Sequence, residues 1–311
     1  MLAELCAILA RINLVGSLAI LAVLALRHPL RRVFGAEVAY ALWAAPALAV
    51  VAALLPAPVL PGVPEPASLA QIFAGWAPVL AILWLVGAGL MAALFFRAQL
   101  RFLRAARAGR AGPAVVGVIA PRIVMPPDDG RYTAAERALV RAHERAHIDR
   151  GDPRAVAGMA LARCLFWFNP LVHLAAHVAR LDQELACDAT VVRRLPSARA
   201  LYAQTLLKTQ IADSPLPIGC HWPARGAHPL EVRIRALLPA RRRDGLLGGV
   251  LVTGLILTGA YAAWAVQPPI PRPTLITVFE IPDDTPVMSV VLISTRRTPT
   301  APPRQLGAQG A

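Results

Sequence analysis

The chain has 311 residues, 57% of them hydrophobic, with a mean hydropathy of +0.54 and a formal net charge of +14. That combination excludes an ordinary soluble enzyme, because apolar runs of spanning length are needed to account for the excess. The charge is nearly all arginine, Lys208 being the sole lysine, and the arginines cluster beside apolar runs. This favours a membrane topology and argues against direct nucleic-acid binding.

In chain order, four segments are apolar enough to cross a bilayer: 5–26, 38–56, 74–96 and 246–266, each near the ~20 residues that a spanning helix needs. Arg11 in the first is expected to snorkel or to face the bundle interior. Arg27, His28, Arg31 and Arg32 follow the first span, and Arg97, Arg101, Arg104, Arg107 and Arg110 follow the third. Arg241, Arg242 and Arg243 precede the fourth, whereas loop 57–73 has no lysine or arginine. The positive-inside rule then places the first loop and the segment 97–245 in the cytoplasm, with both termini outside. The expected organisation is three spans in 1–96, a cytoplasmic domain in 97–245, a fourth span in 246–266 and a short Pro-rich extracytoplasmic tail in 267–311. No signal peptide is expected, since the N-terminus is acidic at Glu4 and its apolar run ends in arginines.

Within 97–245, residues 115–124 read as one or two short strands interrupted by Pro121, and Pro126 to Gly130 read as a turn. The capping box Thr133-Ala134-Ala135-Glu136 opens a helix over 133–149, which Gly151-Asp152-Pro153 stops. Residues 155–179 are nearly as apolar as a span, but Asn169-Pro170 breaks them into a helical hairpin, buried or dipping into the membrane face. The tail carries two strand-like runs, 274–281 and 286–294, around the turn 282–285, and is too small for a sizeable core.

Two to three turns into the capped helix stands His143-Glu144-Arg145-Ala146-His147, an H-E-x-x-H. Positions i and i+4 share a helix face, so two imidazoles reach one metal while the adjacent glutamate serves as general base. Downstream, His173, His177, Arg180, Glu184 and Asp188 form a polar stripe on an otherwise apolar helix. Glu184 is the natural third ligand. Two imidazoles and one carboxylate leave a tetrahedral position for water, the pattern of a catalytic zinc. Asp188 is placed to orient a ligand histidine, and Arg180 to stabilise an oxyanion or to neutralise Glu184 and Asp182. His173 and His177 enclose no glutamate and read as a hydrogen-bonded polar lining, not a second site. The cysteines Cys6, Cys164, Cys187 and Cys220 form no C-x-x-C pair or disulfide framework, and Cys187 reads as packing.

In order along the chain, Gly117 to Pro126, His143 to His147 with Asp152, Phe166-Trp167-Phe168-Asn169-Pro170, and Arg180-x-Asp182-x-Glu184-x-x-Cys187-Asp188 resemble the integral-membrane zinc peptidases typified by the bacterial β-lactam sensor/antirepressor proteins of the BlaR/MecR type. Tyr202 and Arg233-Ile234-Arg235 fit more loosely. The resemblance covers about residues 1–266. It implies a mainly α membrane protein, with four transmembrane helices and a gluzincin-like cytoplasmic peptidase domain of helices and a small β element. His143, His147 and Glu184 would be its Zn2+ ligands, Glu144 its base, and Asp188 and Asp152 would support the ligands. It also implies a bacterial inner-membrane location and a cytoplasmic protein substrate, a winged-helix transcriptional repressor being the candidate. Sensor members carry a penicillin-binding domain after the last span; the 45 residues here hold no S-x-x-K, so β-lactam acylation is not expected.

The leading expectation is thus a membrane-anchored zinc endopeptidase in signal transduction, in contact with the lipid bilayer, the tail offering a site for a periplasmic partner. Two alternatives stand beside it: a non-catalytic receptor or scaffold with a structural metal, and a housekeeping membrane zinc protease with broad substrates.

Overall fold

A computed structural model describes residues 1–60, 69–109, 112–125, 127–128, 130–211, 227–238, 244–267, 270–271, 275–280 and 287–292. The expectations that fall on Pro126, Asp129, Arg110, Cys220, 241–243 and the tail turn 282–285 lie outside the described residues. The protein is a mainly α membrane protein. Four helical stretches are long and apolar enough to span a bilayer. The first is α1, Leu2–Phe34; the second is built from α2, Ala36–Ala41, and α3, Ala44–Leu54. A short helix α4, Leu69–Phe73, precedes the third, α5, Ala77–Arg107, and α11, Gly245–Ala265, is the fourth. At 1.5 Å per residue α1 and α5 are each roughly 45–50 Å long against a hydrocarbon core of ~30 Å, so both project beyond it.

Residues 1–55 and 69–264 form one compact unit. In it, β2 (Ala114–Val116) pairs antiparallel with β3 (Arg122–Val124). Gly117 has φ 98°, and a Cβ there would lie 2.8 Å from the Ala120 carbonyl oxygen, so this turn requires glycine. Helix α6, Ala134–Asp149, starts at the expected capping box: Thr133 accepts from the Glu136 backbone and Glu136 accepts from the Thr133 backbone. Gly151, at φ 73°, turns the chain into α7, Asp152–Leu165. Helix α8, Pro170–Arg194, follows, with Asn169 as its N-cap. A 3-10 turn at Pro196–Ala198 leads into α9, Arg199–Ile211; α10 is Ala227–Ala236. Leu139 and Ala146 of α6 pack with Cys187 and Val191 of α8, Tyr202 and Leu206 of α9, and Leu237. This small core fixes the motif helix against α8.

The α7–α8 hairpin stands beside the spans. Its tip, Phe166 to Asn169, meets α1 through Asn169, whose amide donates to Asn13 and Ser17, and through Phe166 packed near Ile12. On its other side Trp84 of α5 donates to the Leu165 carbonyl, and Trp167 lies so close to Gly87 that a Cβ there would sit 2.1 Å from the ring. Asn13 and Ser17 are in the middle of the apolar stretch of α1, so the tip is level with that depth. Leu161, Phe168 and Leu174 remain exposed, as apolar groups facing lipid would be. Arg11, half-buried on α1, has its Nε sealed from solvent.

The second unit, 56–68 and 265–311, contains β1 (Val59–Leu60) parallel to β4 (Ile270–Pro271) and β5 (Leu275–Glu280) antiparallel to β6 (Val287–Leu292). The last pair occupies the two strand-like runs of the tail.

Candidate metal centre

His143 and His147 project from one face of α6, and Glu184 comes from the facing helix α8. Their ligand-capable atoms all lie within 4.8 Å of one another, and all three residues are buried. The two Nε2 atoms face each other at 3.1 Å, with Glu184 Oε2 3.4 Å from His143 Nε2 and Glu184 Oε1 3.7 Å from His147 Nε2.

The outer nitrogens determine what these inner atoms are. His147 Nδ1 is 2.8 Å from Asp152 Oδ2, a carboxylate that Arg150 also approaches, so His147 donates there. Asp152 is held below the usual carboxylate range: its burial is outweighed by the His147 hydrogen bond. His143 Nδ1 is 2.8 Å from Tyr202 Oη, and the Tyr202 hydroxyl donates to Asp188 Oδ1 at 2.7 Å, so the Tyr202 oxygen accepts from His143. Both Nδ1 atoms therefore carry the ring proton, and both Nε2 atoms turn lone pairs towards one point. Two lone pairs and a carboxylate converging in a buried space repel each other unless a cation lies between them.

The spacing fits that reading. Metal–ligand bonds of about 2.0–2.2 Å at tetrahedral angles put donor atoms about 3.3–3.5 Å apart, and the three separations above bracket this. Among the described residues, Glu184 Oε1 and Glu144 Oε2 have no hydrogen-bond partner in their buried positions. The donor set thus suits a single metal ion.

Electrostatics separate the two glutamates. Burial tends to raise the Glu184 pKa, but the Arg233 guanidinium, 3.2 Å away, and the two histidines hold it far below the usual range. Glu144 is buried, and desolvation raises its pKa despite the opposing influence of His143, His147 and Arg233. The two carboxylates are thus shifted in opposite directions, a division set by environment.

Arg233 stands out in the sequence only within the loosely fitting Arg233-Ile234-Arg235 stretch, with no role attached. It donates to both oxygens of Asp188 at 2.8 Å as well as pairing with Glu184. Asp188 lies 3.5 Å from His143 Nδ1, so its orienting contact runs mainly through Tyr202. Asp152 sits directly on His147. Arg233 pairs with Glu184, while Arg27 and Arg31 pair with Asp182. Arg180 is one turn before Glu184, where its charge bears on Arg163 of α7. Cys187 forms a second close group with His147 and Asp152. Burial pushes its thiol up to about 12, so it stays protonated, donating to Asp152 at 3.3 Å. His173 bonds the Trp167 carbonyl and accepts from Arg163, which gives it the hydrogen-bonded role expected within the hairpin.

Residues 7–74 and 69–237 match the model of the family described as BlaR1 peptidase M56. The match spans well over half of the chain, which therefore belongs to that family, and its type is that of a membrane-associated metallopeptidase. Regulatory protein BlaR1 of Bacillus licheniformis is 34% identical over 97 residues, 31% of this chain and 16% of that relative's length. The chain thus matches only a small part of that longer protein. No solved structure matches.

Proposed function

We propose that this member of the BlaR1 peptidase family is a membrane-anchored zinc endopeptidase that hydrolyses a peptide bond in a cytoplasmic protein. One observation carries the reading: the Tyr202 and Asp152 hydrogen bonds turn both histidine Nε2 lone pairs and Glu184 onto one buried point beside Glu144. His143, His147 and Glu184 would hold the ion. Bound zinc supplies Lewis acidity, acidifying water and polarising the scissile carbonyl. Glu144 takes a proton from the attacking water and delivers it to the leaving amine. Arg233 keeps Glu184 anionic, Asp152 and Tyr202 hold the imidazole tautomers, and the α6–α8 core maintains the spacing of the ligands.

The cytoplasmic side is supported by Arg27, His28, Arg31 and Arg32 at the end of α1 and by Arg97, Arg101, Arg104 and Arg107 at the end of α5. On this topology 97–245 is the peptidase domain and 267–311 an extracytoplasmic tail. A repressor substrate is proposed from the relative, whose name is that of a regulatory protein. The test is proteolysis by the purified full chain with and without Glu144→Ala: activity should vanish while zinc stays bound, and comparison of cellular proteomes should show one substrate restored, not many. Peptidase activity surviving in Glu144→Ala contradicts the mechanism. The competing scaffold reading draws on the burial of all four residues, and predicts stoichiometric zinc with no peptidase activity at all.

A further inference from the structure

Helices α1 and α8 run side by side in the same direction, and two polar contacts fix their register. At the start of α8 the Asn169 amide donates to Asn13 at 2.7 Å and Ser17 at 2.8 Å. Further along, Arg27 Nη1 lies 2.7 Å from both carboxylate oxygens of Asp182. At 1.5 Å per residue the two contacts are about 20 Å apart on either helix, so both are met in one register only.

Asp182 is 1% exposed and collects more than Arg27: Trp43, between α2 and α3, donates to it at 2.9 Å and Arg31 at 3.4 Å. A buried carboxylate is tolerated only with such a set of donors, and a slide of α1 by one residue would strip it of Arg27. Two residues after Asp182 comes Glu184. A second connection leaves the same corner of the molecule. Tyr40 accepts from Gln183 at 3.1 Å, and Arg150 lies 4.7 Å above the Tyr40 ring. Arg150 in turn reaches Asp152, 3.6 Å away, the residue that orients His147. Segment 27–43 therefore touches Asp182 and Gln183, next to Glu184 on α8, and Arg150, which leads through Asp152 to His147.

We propose that Asp182 is a positioning residue for the metal centre: its ion pair with Arg27 registers α8 against the membrane span α1, so that a displacement of α1 is read at Glu184 as a change in metal binding and turnover. The proposal rests on His143, His147 and Glu184 being the ligands. Nothing in the ligand geometry needs an aspartate at 182; what Asp182 adds is a link from the site to a membrane helix. Unlike Asp152 or Tyr202, it touches no ligand side chain and acts only through the placement of its helix.

The test uses the full chain in lipid nanodiscs, titrated with Co2+ and followed by the visible absorption of the bound ion, with thermal midpoints read on the same samples. Arg27→Ala and Asp182→Asn should each weaken Co2+ binding ten- to a hundredfold and change the band shape, as loss of an outer support does. The double variant should be little worse than either single one, because both remove the same contact. Arg27→Lys, which keeps the charge and covers the case in which Arg27→Ala does not fold, should bind within about threefold of wild type. Amide exchange across 180–190 should rise in the weakened variants. Lower thermal midpoints with unchanged Co2+ affinity and band shape below them would overturn the proposal, reducing the pair to a structural one. A wild-type chain that binds no stoichiometric Co2+ would overturn the ligand reading itself, and the proposal with it.

Discussion

Replacing Tyr202 with phenylalanine removes one oxygen from the protein and tests how the ligand set is organised. That oxygen is fully buried, accepts from His143 Nδ1 and donates to Asp188, with separations of 2.8 and 2.7 Å. Removing a support of this kind costs 10- to 100-fold in metal affinity, or about 1.4–2.8 kcal/mol. In Tyr202→Phe, His143 Nδ1 still faces Asp188 Oδ1, 3.5 Å away, and a small ring rotation can replace the lost bond with a direct one to a carboxylate. The expected loss is therefore at the low end, about tenfold or roughly 1.4 kcal/mol. Asp188→Ala offers no such replacement and also takes two 2.8 Å hydrogen bonds from Arg233, which keeps Glu184, so its loss should approach a hundredfold in affinity, with about 1–3 kcal/mol of stability in addition. Competition against a zinc-responsive chelator gives the dissociation constants. In thermal unfolding, the stabilisation contributed by saturating zinc should shrink by the same increment. Affinity in Tyr202→Phe within twofold of wild type would refute the tautomer argument, as would a loss equal to that of Asp188→Ala.

Other perturbations follow from the same geometry. Glu144→Gln should bind zinc within about threefold of wild type while kcat/KM falls about 10²- to 10⁴-fold, the range for losing a general base, as measured with a peptide substrate. Cys187→Ala should leave zinc affinity within a few fold, because the protonated thiol donates to Asp152 and is not a ligand; a collapse of affinity in the chelator assay would contradict this. Gly87→Ala should push Trp167 and the hairpin tip off α5, lowering stability by about 1–3 kcal/mol in nanodisc melts, whereas Gly89→Ala, with open space at its Cβ, should be nearly neutral.

The parts of the protein that local chemistry dictates were legible in the sequence. The capping box and Gly151 bound α6 at the expected places, and i, i+4 spacing put His143 and His147 on one face. The Asn169-Pro170 break gave the hairpin, because proline cannot continue α7 but suits the first turn of α8. Hydropathy located the four spans but not their ends: it reports membrane-length apolar runs, whereas α1 continues through its arginines to Phe34 and α5 to Arg107. The supports of the site were harder to see. The polar stripe 173–188 draws attention to one face of α8, yet Asp182 and Gln183 are buried on other faces because α1, α2 and the α2–α3 turn pack there. Arg233, 3.2 Å from Glu184, comes from α10, 49 positions on. Only tertiary packing brings that helix to the site, and no periodicity within α10 announces it.

The central claim is that two imidazoles and one carboxylate hold a zinc ion with a position left for water. X-ray absorption at the zinc edge of the purified full chain tests it most directly. The expected spectrum has one zinc per chain, two nitrogen scatterers near 2.0–2.1 Å, oxygen scatterers at about 2.0–2.2 Å and no sulfur. A sulfur scatterer near 2.3 Å would make Cys187 a ligand and the site a closed structural one, contradicting the account.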